Sequence, residues 1–162
     1  MIKLAIYAGT FDPLTLGHVD LIQRASEIFD RLILAVCVKS SKDVLFSTED
    51  RVAMANEVVK GMKNVVVDSF NGLLVDYARQ KKCNVLIRGL RVYSDFEYEF
   101  QMVLTNRKMA SEIETLFMMP KETHSYISSS TVKEIAMLGG DLSKFVPRSV
   151  KNALRKKYRG KP

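Results

Sequence analysis

Apolar residues in this chain fall into two rhythms that alternate along its length. Short continuous runs read as strands: Lys3 to Gly9 (KLAIYAG), Leu32 to Val38 (LILAVCV), Asn64 to Asp68 with its three valines, Asn84 to Ile87, and Thr115 to Met119. Between them the apolar positions recur at helical spacing. Val19, Ile22, Ala25 and Phe29 share one face of a helix over about 17–29, and further helices are expected after Ser47 and over about 72–82 and 95–110. Two more follow, over about 129–138 and 147–158. Ser47 with Asp50 three residues on has the pattern of a capping box.

Strands that are apolar throughout, rather than alternating, must be covered on both faces, and strands separated by helices run parallel. The pattern therefore predicts an α/β fold: a Rossmann-like, doubly wound, five-stranded parallel sheet with helices on both faces. In such sheets ligands bind beyond the carboxyl ends of the strands. That directs attention to residues 8–18, 39–43, 69–74, 88–91 and 120–130.

A length of 162 residues, 47% hydrophobic and 27% charged, suits a single domain over 1–162 that needs no metal or disulfide to hold it. Cys37 and Cys83 lie in or beside apolar runs without C-x-x-C spacing, and read as buried free thiols of a cytoplasmic protein. The chain shows neither a targeting segment nor an apolar stretch of membrane-spanning length. The net charge of +7 suggests an anionic partner until its location is considered. Eight of the 25 basic residues lie in 142–162, which holds no acid, leaving 17 against 18 acidic residues elsewhere. The excess belongs to a basic C-terminal helix and tail at about 147–162. Without an aromatic RNA-binding motif or zinc-finger spacing it reads as a solvated face, and neither nucleic acid nor membrane is an expected partner.

Neither G-x-G-x-x-G nor the P-loop spacing occurs among the eight glycines, which removes the main support for dinucleotide oxidoreductases and P-loop kinases. After the first strand stands Gly9-Thr10-Phe11-Asp12-Pro13, then Thr15-Leu16-Gly17-His18, with His18 entering the first turn of a helix. Helix N-termini offer unpaired N–H groups and a positive partial charge to phosphates. A lone histidine there would ordinarily be a surface residue, but G-T-F-D-P followed by T-x-G-H resembles the signature of the adenylyl- and cytidylyltransferases.

Four more segments narrow the resemblance: Ser41-Lys42 beyond strand two, Leu86 to Arg91 (LIRGLR) at strand four, Asp95 to Glu99 (DFEYE) opening the long helix, and Ile127 to Ser130 (ISSS) before a late helix. In order and spacing they are similar to phosphopantetheine adenylyltransferases. Ala8 departs from the proline common in that family before the glycine. Arg88 and Arg91 flank Gly89 where two guanidinium forks can converge on phosphates, although either alone could serve a surface ion pair. Three consecutive serines exceed what simple N-capping requires. Phe96, Phe100, Val103 and Leu104 read as core or subunit contacts.

The resemblance implies a transfer of AMP from ATP to 4′-phosphopantetheine, giving dephospho-coenzyme A and pyrophosphate. It implies His18, Thr10, Lys42 and Arg91 as catalytic residues. ATP would meet Thr10, Phe11, His18, Gly89, Leu90, Arg91, Glu99, His124, Ser125, Tyr126, Ile127, Ser128, Ser129 and Ser130. The acceptor would meet Thr10, Lys42, Leu74 and Arg88. Mg2+ is expected chiefly through ATP rather than through a protein cage, with coenzyme A as a feedback ligand and a homo-hexamer as the assembly. The alternatives are a related transferase acting on nicotinamide mononucleotide or glycerol phosphate, a nucleic-acid-binding module using the basic tail, and a nucleotide sensor without turnover.

Overall fold

The computed structural model describes residues 3–38, 44–91 and 93–159, with the side chains of 93–95 also outside the description. Five strands form one parallel sheet: β1 (Leu4–Gly9), β2 (Arg31–Cys37), β3 (Val65–Phe70), β4 (Val85–Gly89) and β5 (Glu114–Met118), in the order β3-β2-β1-β4-β5. The central strand explains the continuous apolar runs. Ala5 and Tyr7 join one core cluster while Ile6 and Ala8 join another, and Leu32, Leu34 and Val36 alternate with Ile33 and Ala35 in the same way. Strands β1 and β2 thus feed two cores with a period of two. A fully buried Leu or Ile contributes roughly 1.5–3 kcal/mol, so both faces repay an unbroken apolar run.

Helices α1 (Leu16–Ile28), α2 (Thr48–Val59), α5 (Ser129–Met137) and α6 (Arg148–Tyr158) bury Leu21, Ile22, Ala25, Met54, Ala55, Val132, Val150 and Leu154 in the first core. Helix α3 (Leu74–Gln80) and the residues after α4 (Tyr93–Met109) serve the second, through Val75, Tyr77, Ala78, Ala110 and Ile113. Because α6 plugs Val150 and Leu154 into the core, the basic C-terminal helix is an integral element with its charges on the outer face.

The expected elements differ from the observed ones at identifiable points. Helix α3 is shorter than 72–82 because Gly72 (φ +92°) and Lys82 (φ +53°) adopt left-handed backbone at its two ends. Gly139 (φ +77°) stops α5 in the same manner. At Ser47 only half of the capping box forms, the Asp50 N–H donating to Ser47 Oγ at 3.1 Å. The complete box lies instead at Thr15 and His18. A 3-10 turn at Glu122–His124, which the apolar pattern does not announce, is tied to α1 by Lys121 N–H donating to the buried Asp20 carboxylate at 3.0 Å. Cys83 is buried as expected, but Cys37 is only half-buried at the carboxyl end of β2. Phe96, Phe100 and Leu104 are 42–50% exposed, so they are not monomer core.

Candidate active site

Strand order reverses at β1, whose neighbours β2 and β4 lead the chain in opposite directions, and a crevice opens there at the carboxyl ends. It holds a cavity of about 410 Å³ lined by residues 7–12, Thr15, Gly17, His18, Leu21, Arg88, Gly89, Arg91, Glu99, Pro120, Ser128 to Ser130 and Lys133. Two helix N-termini, of α1 and α5, converge on it, adding their partial positive charge to three side-chain cations. Such a cavity suits a polyphosphate.

The protonation pattern of His18 follows from its place in the helix. The N–H of Thr15, the N-cap, donates to His18 Nδ1 at 3.0 Å, and the His18 N–H returns to Thr15 Oγ1 at 3.4 Å. A ring nitrogen that accepts a backbone N–H carries no proton, so neutral His18 bears its proton on Nε2. Burial, and then the positive charges of Arg91 and Arg88, push the His18 pKa down from 6.5 to about 4. At neutral pH the ring is an uncharged donor of fixed tautomer, built into the start of a helix. The Phe11 ring stands edge-on against it, centroids 5.2 Å apart, and Tyr7 stands edge-on against Phe11 at 5.4 Å. Phe11 takes a left-handed backbone (φ +49°), a costly conformation for a bulky residue. Gly9 makes room for it, since a Cβ there would meet the Phe11 ring at 2.9 Å.

Arg88 is anchored. Its Nε and Nη2 donate to the two carboxylate oxygens of Glu99 at 2.7 and 2.5 Å, and Nη1 donates to the Ala8 carbonyl at 2.8 Å. Burial opposes its charge, but the Glu99 hydrogen bonds and charge outweigh that and hold the Arg88 pKa above its ordinary value. Glu99 therefore aims an arginine as well as lining the cavity. Arg91 also lines the wall, with Nη1 donating to the Ile127 carbonyl at 3.2 Å. On the facing side Ser128 caps α5, accepting the Thr131 N–H at 3.0 Å, and Ser129 Oγ donates to the Pro13 carbonyl at 2.8 Å. The Ser129 bond ties the serine segment to the loop that carries Thr10.

The structure brings Thr10, Phe11, His18, Arg88, Gly89, Arg91, Glu99 and Ser128 to Ser130 into one cavity. It does not place Leu90, His124, Ser125, Tyr126 or Ile127 in the wall: Leu90 N–H pairs with the Met118 carbonyl, and the His124 carbonyl backs Gly17 at 3.3 Å from where a Cβ would stand. Leu74 also lies outside the wall, half-buried at the start of α3 against the second core. Lys42 lies outside the described residues.

Three cavity residues carry chemistry that the motif reading did not assign. Asp12, 4% exposed, accepts N–H bonds from Leu45 at 2.8 Å and Phe46 at 2.9 Å, and pairs with Lys133 Nζ at 3.1 Å. Lys133 follows Ser129 by four residues, and that helical spacing was the signal that could have found it. Tyr7 hides in an apolar strand; burial drives its phenol well above the ordinary range, with the charges of Arg88 and Arg91 pulling the other way. Among the described residues no group of three or more His, Cys, Asp or Glu could hold a metal. The two cavity carboxylates are already engaged, Asp12 by three donors and Glu99 by Arg88, so these residues do not fit a protein-held ion.

Comparison with known proteins agrees with this geometry. Residues 6–135 match the cytidylyltransferase-like family model, a span running from β1 through most of α5. A phosphopantetheine adenylyltransferase of Methylococcus capsulatus is 54% identical over 96% of both chains, and one of Alkaliphilus metalliredigens is 51% identical over 96% of this chain and 99% of its own. A nicotinic acid mononucleotide adenylyltransferase of Plasmodium falciparum superposes with a TM-score of 0.72, covering 99% of this chain and 97% of its own; at 14% identity that likeness speaks for the fold alone. No described helix is long and apolar enough to cross a membrane. With half of all residues shared across nearly the full length of those relatives, the chain belongs to the phosphopantetheine adenylyltransferases, within the cytidylyltransferase-like nucleotidyltransferases.

Proposed function

We propose that this chain transfers the adenylyl group of ATP to 4′-phosphopantetheine. A phosphate oxygen of the acceptor forms a new bond to the α-phosphorus, the bond from α-phosphorus to the bridging oxygen of the β-phosphate breaks, and pyrophosphate leaves with that electron pair. The product is dephospho-coenzyme A. The observation that carries the reading is a neutral His18 of fixed tautomer, set between two helix N-termini in a cavity with Arg88, Arg91 and Lys133. The acceptor's identity is supported by the relatives' names.

An acceptor phosphate already anionic near neutral pH needs no general base, so the chain's contribution is alignment and charge stabilisation. His18 Nε2–H donates to an α-phosphate oxygen as charge accumulates there. Arg91, with Ser128 to Ser130 at the start of α5, holds the β- and γ-phosphates. Thr10 and Lys42 orient the acceptor phosphate, and Arg88, braced by Glu99, contacts the acceptor. Gly89 borders the nucleotide within the cavity wall, whereas Leu90, His124 to Ile127 and Leu74 lie outside that wall and would meet the substrates only where these extend beyond the cavity. Magnesium, when bound, would be held chiefly by the triphosphate and would supply neutralisation of phosphate charge there.

The same reading includes a homo-hexamer, coenzyme A competing for the acceptor site, and residence in the cytoplasm. Exposed Phe96, Phe100, Met102 and Leu104 on α4, with Leu116 and Met119 at the β5 edge, support a buried subunit contact. Two free thiols suit a reducing compartment.

The test is pyrophosphate release from magnesium and ATP by purified protein, with 4′-phosphopantetheine, nicotinamide mononucleotide, glycerol 3-phosphate or no acceptor. Release confined to 4′-phosphopantetheine is the expected result. Release with another acceptor alone would overturn the substrate assignment while keeping the reaction type, and silence with all of them would overturn both.

A further inference from the structure

Arg51 on α2 is 0% exposed, the largest fully buried side chain in the protein's described part, yet it lies outside the cavity wall. Among the described residues its four hydrogen bonds go to three carbonyls and a hydroxyl, and none to a carboxylate. Nη1 donates to the Thr10 and Cys37 carbonyls, both at 2.8 Å, Nε to the Phe46 carbonyl at 3.2 Å, and Nη2 to Thr48 Oγ1 at 3.0 Å. Burying a guanidinium among neutral acceptors is costly, and an apolar side chain of similar volume would fill the space at less expense. A plain packing role therefore does not account for an arginine at this position.

The acceptors explain it. They are the residue that follows β1, the last residue of β2, and the chain entering α2. One planar fork ties the two strand ends that deliver the front of the active site, which three separate backbone carbonyls could not do for each other, having no donors. Asp12 grips the same region from the other side, through the N–H groups of Leu45 and Phe46. Between the Arg51 and Asp12 anchors stands Phe11 in its left-handed backbone, with its ring against His18. A backbone in that state persists only where its surroundings fix it.

We propose that Arg51 is a positioning residue for the transfer reaction: by holding the Thr10 carbonyl it fixes the Thr10 side chain in the geometry that turnover requires. Arg51 touches no substrate. Its effect runs through Thr10, so the proposal rests on Thr10 orienting the acceptor phosphate.

The test is a double-variant cycle on the full-length enzyme with Arg51→Lys and Thr10→Ala, measuring kcat, KM for ATP and thermal unfolding. Lysine keeps the charge but cannot reach the three carbonyls at once. Arg51→Lys should lower kcat by on the order of tenfold with KM for ATP within about twofold, since displacement of reacting groups acts on turnover. In the Thr10→Ala background the same change should cost less than about twofold, because groups acting through one another are not additive. A kcat within twofold of the parent, or losses that multiply in the double variant, would overturn the proposal and leave Arg51 a structural residue. If Thr10→Ala alone leaves kcat unchanged, the Thr10 assignment fails and the proposal with it, while product formation by the parent still upholds the reaction. Should Arg51→Lys not fold, Thr48→Val takes its place in the cycle. It removes one acceptor of the fork, and a folded Thr48→Val with unaltered kcat would equally overturn the proposal.

Discussion

His18 does two things with its two ring nitrogens, and a single substitution separates them. Nδ1 accepts the Thr15 N–H at 3.0 Å and so completes the capping box of α1, while Nε2 keeps the proton on a ring that lines the cavity. In His18→Asn the amide oxygen occupies roughly the place of Nδ1 and can accept the same N–H, but nothing replaces Nε2. The Thr15 hydroxyl still caps the backbone N–H at position 18, so helix and cavity persist. Loss of a cap is worth about 1 kcal/mol, and most of that should be retained in this variant. Loss of a preorganised donor to developing phosphate charge is worth roughly 2.7–4 kcal/mol, which is 10²–10³ in kcat. The assay is steady-state pyrophosphate release, with KM for ATP and a urea denaturation curve on the same preparation. The expected outcome is a kcat at least about a hundredfold down, KM for ATP within a few-fold, and unfolding free energy within about 1 kcal/mol of the parent. His18→Ala should slow turnover similarly but lose the cap as well. A kcat for His18→Asn within threefold of the parent, or a loss residing wholly in KM, would refute the assignment of Nε2–H to the transition state.

The depressed His18 pKa has a stability counterpart with a definite sign. Between the unfolded value of 6.5 and the folded value of about 4, the unfolded chain binds the extra proton, so stability falls as pH falls through that window. A shift of that size corresponds to about 3 kcal/mol, and His18→Asn should flatten the parent's stability curve by about that amount between pH 6.5 and 4; parallel curves would contradict the burial of a neutral ring. Gly9→Ala should drive its Cβ into the Phe11 ring, at 2.9 Å in the present geometry, and lower kcat more than it raises KM for ATP, as read by the same kinetics. Lys133→Met removes a cavity cation and one of three donors to the buried Asp12 carboxylate. It should cost about 1–3 kcal/mol in denaturant unfolding and weaken ATP binding in calorimetric titration; unchanged binding would show that the triphosphate does not depend on Lys133.

The inner strands β1, β2 and β4 were legible because they are covered on both faces and so spell continuous apolar runs, whereas the edge strands β3 and β5, with Val66 and Leu116 exposed, are apolar without being buried on both sides. The start of α1 was legible for a different reason: Gly9 to His18 compresses a turn, a cap and a ligand-facing histidine into ten residues, and few other jobs need all of them. Arg51 was not. In sequence it is one charged residue among several at the start of an ordinary helix, and only the meeting of carbonyls from two strand ends and the chain entering α2 reveals its place. Glu99 as the partner of Arg88 was likewise invisible, since the pair is eleven residues apart on a strand and a helix whose relative placement is tertiary. The 3-10 turn at Glu122–His124 depends on a buried Asp20 about a hundred residues away, beyond any local pattern. The sequence pattern of Phe96 and Phe100 on α4 left core and subunit contact as alternatives, and their exposure in the monomer removes the first.

The transfer proposed is a direct displacement at the α-phosphorus, with no protein nucleophile, that joins AMP to 4′-phosphopantetheine. It is tested most directly with ATP carrying sulfur at one stereochemical position of the α-phosphate, by determining the configuration at that phosphorus in the dephospho-coenzyme A formed. A single in-line transfer predicts inversion. Retention would require two displacements through an adenylylated protein group, and would contradict a His18 and helix N-termini that only align and stabilise one direct transfer.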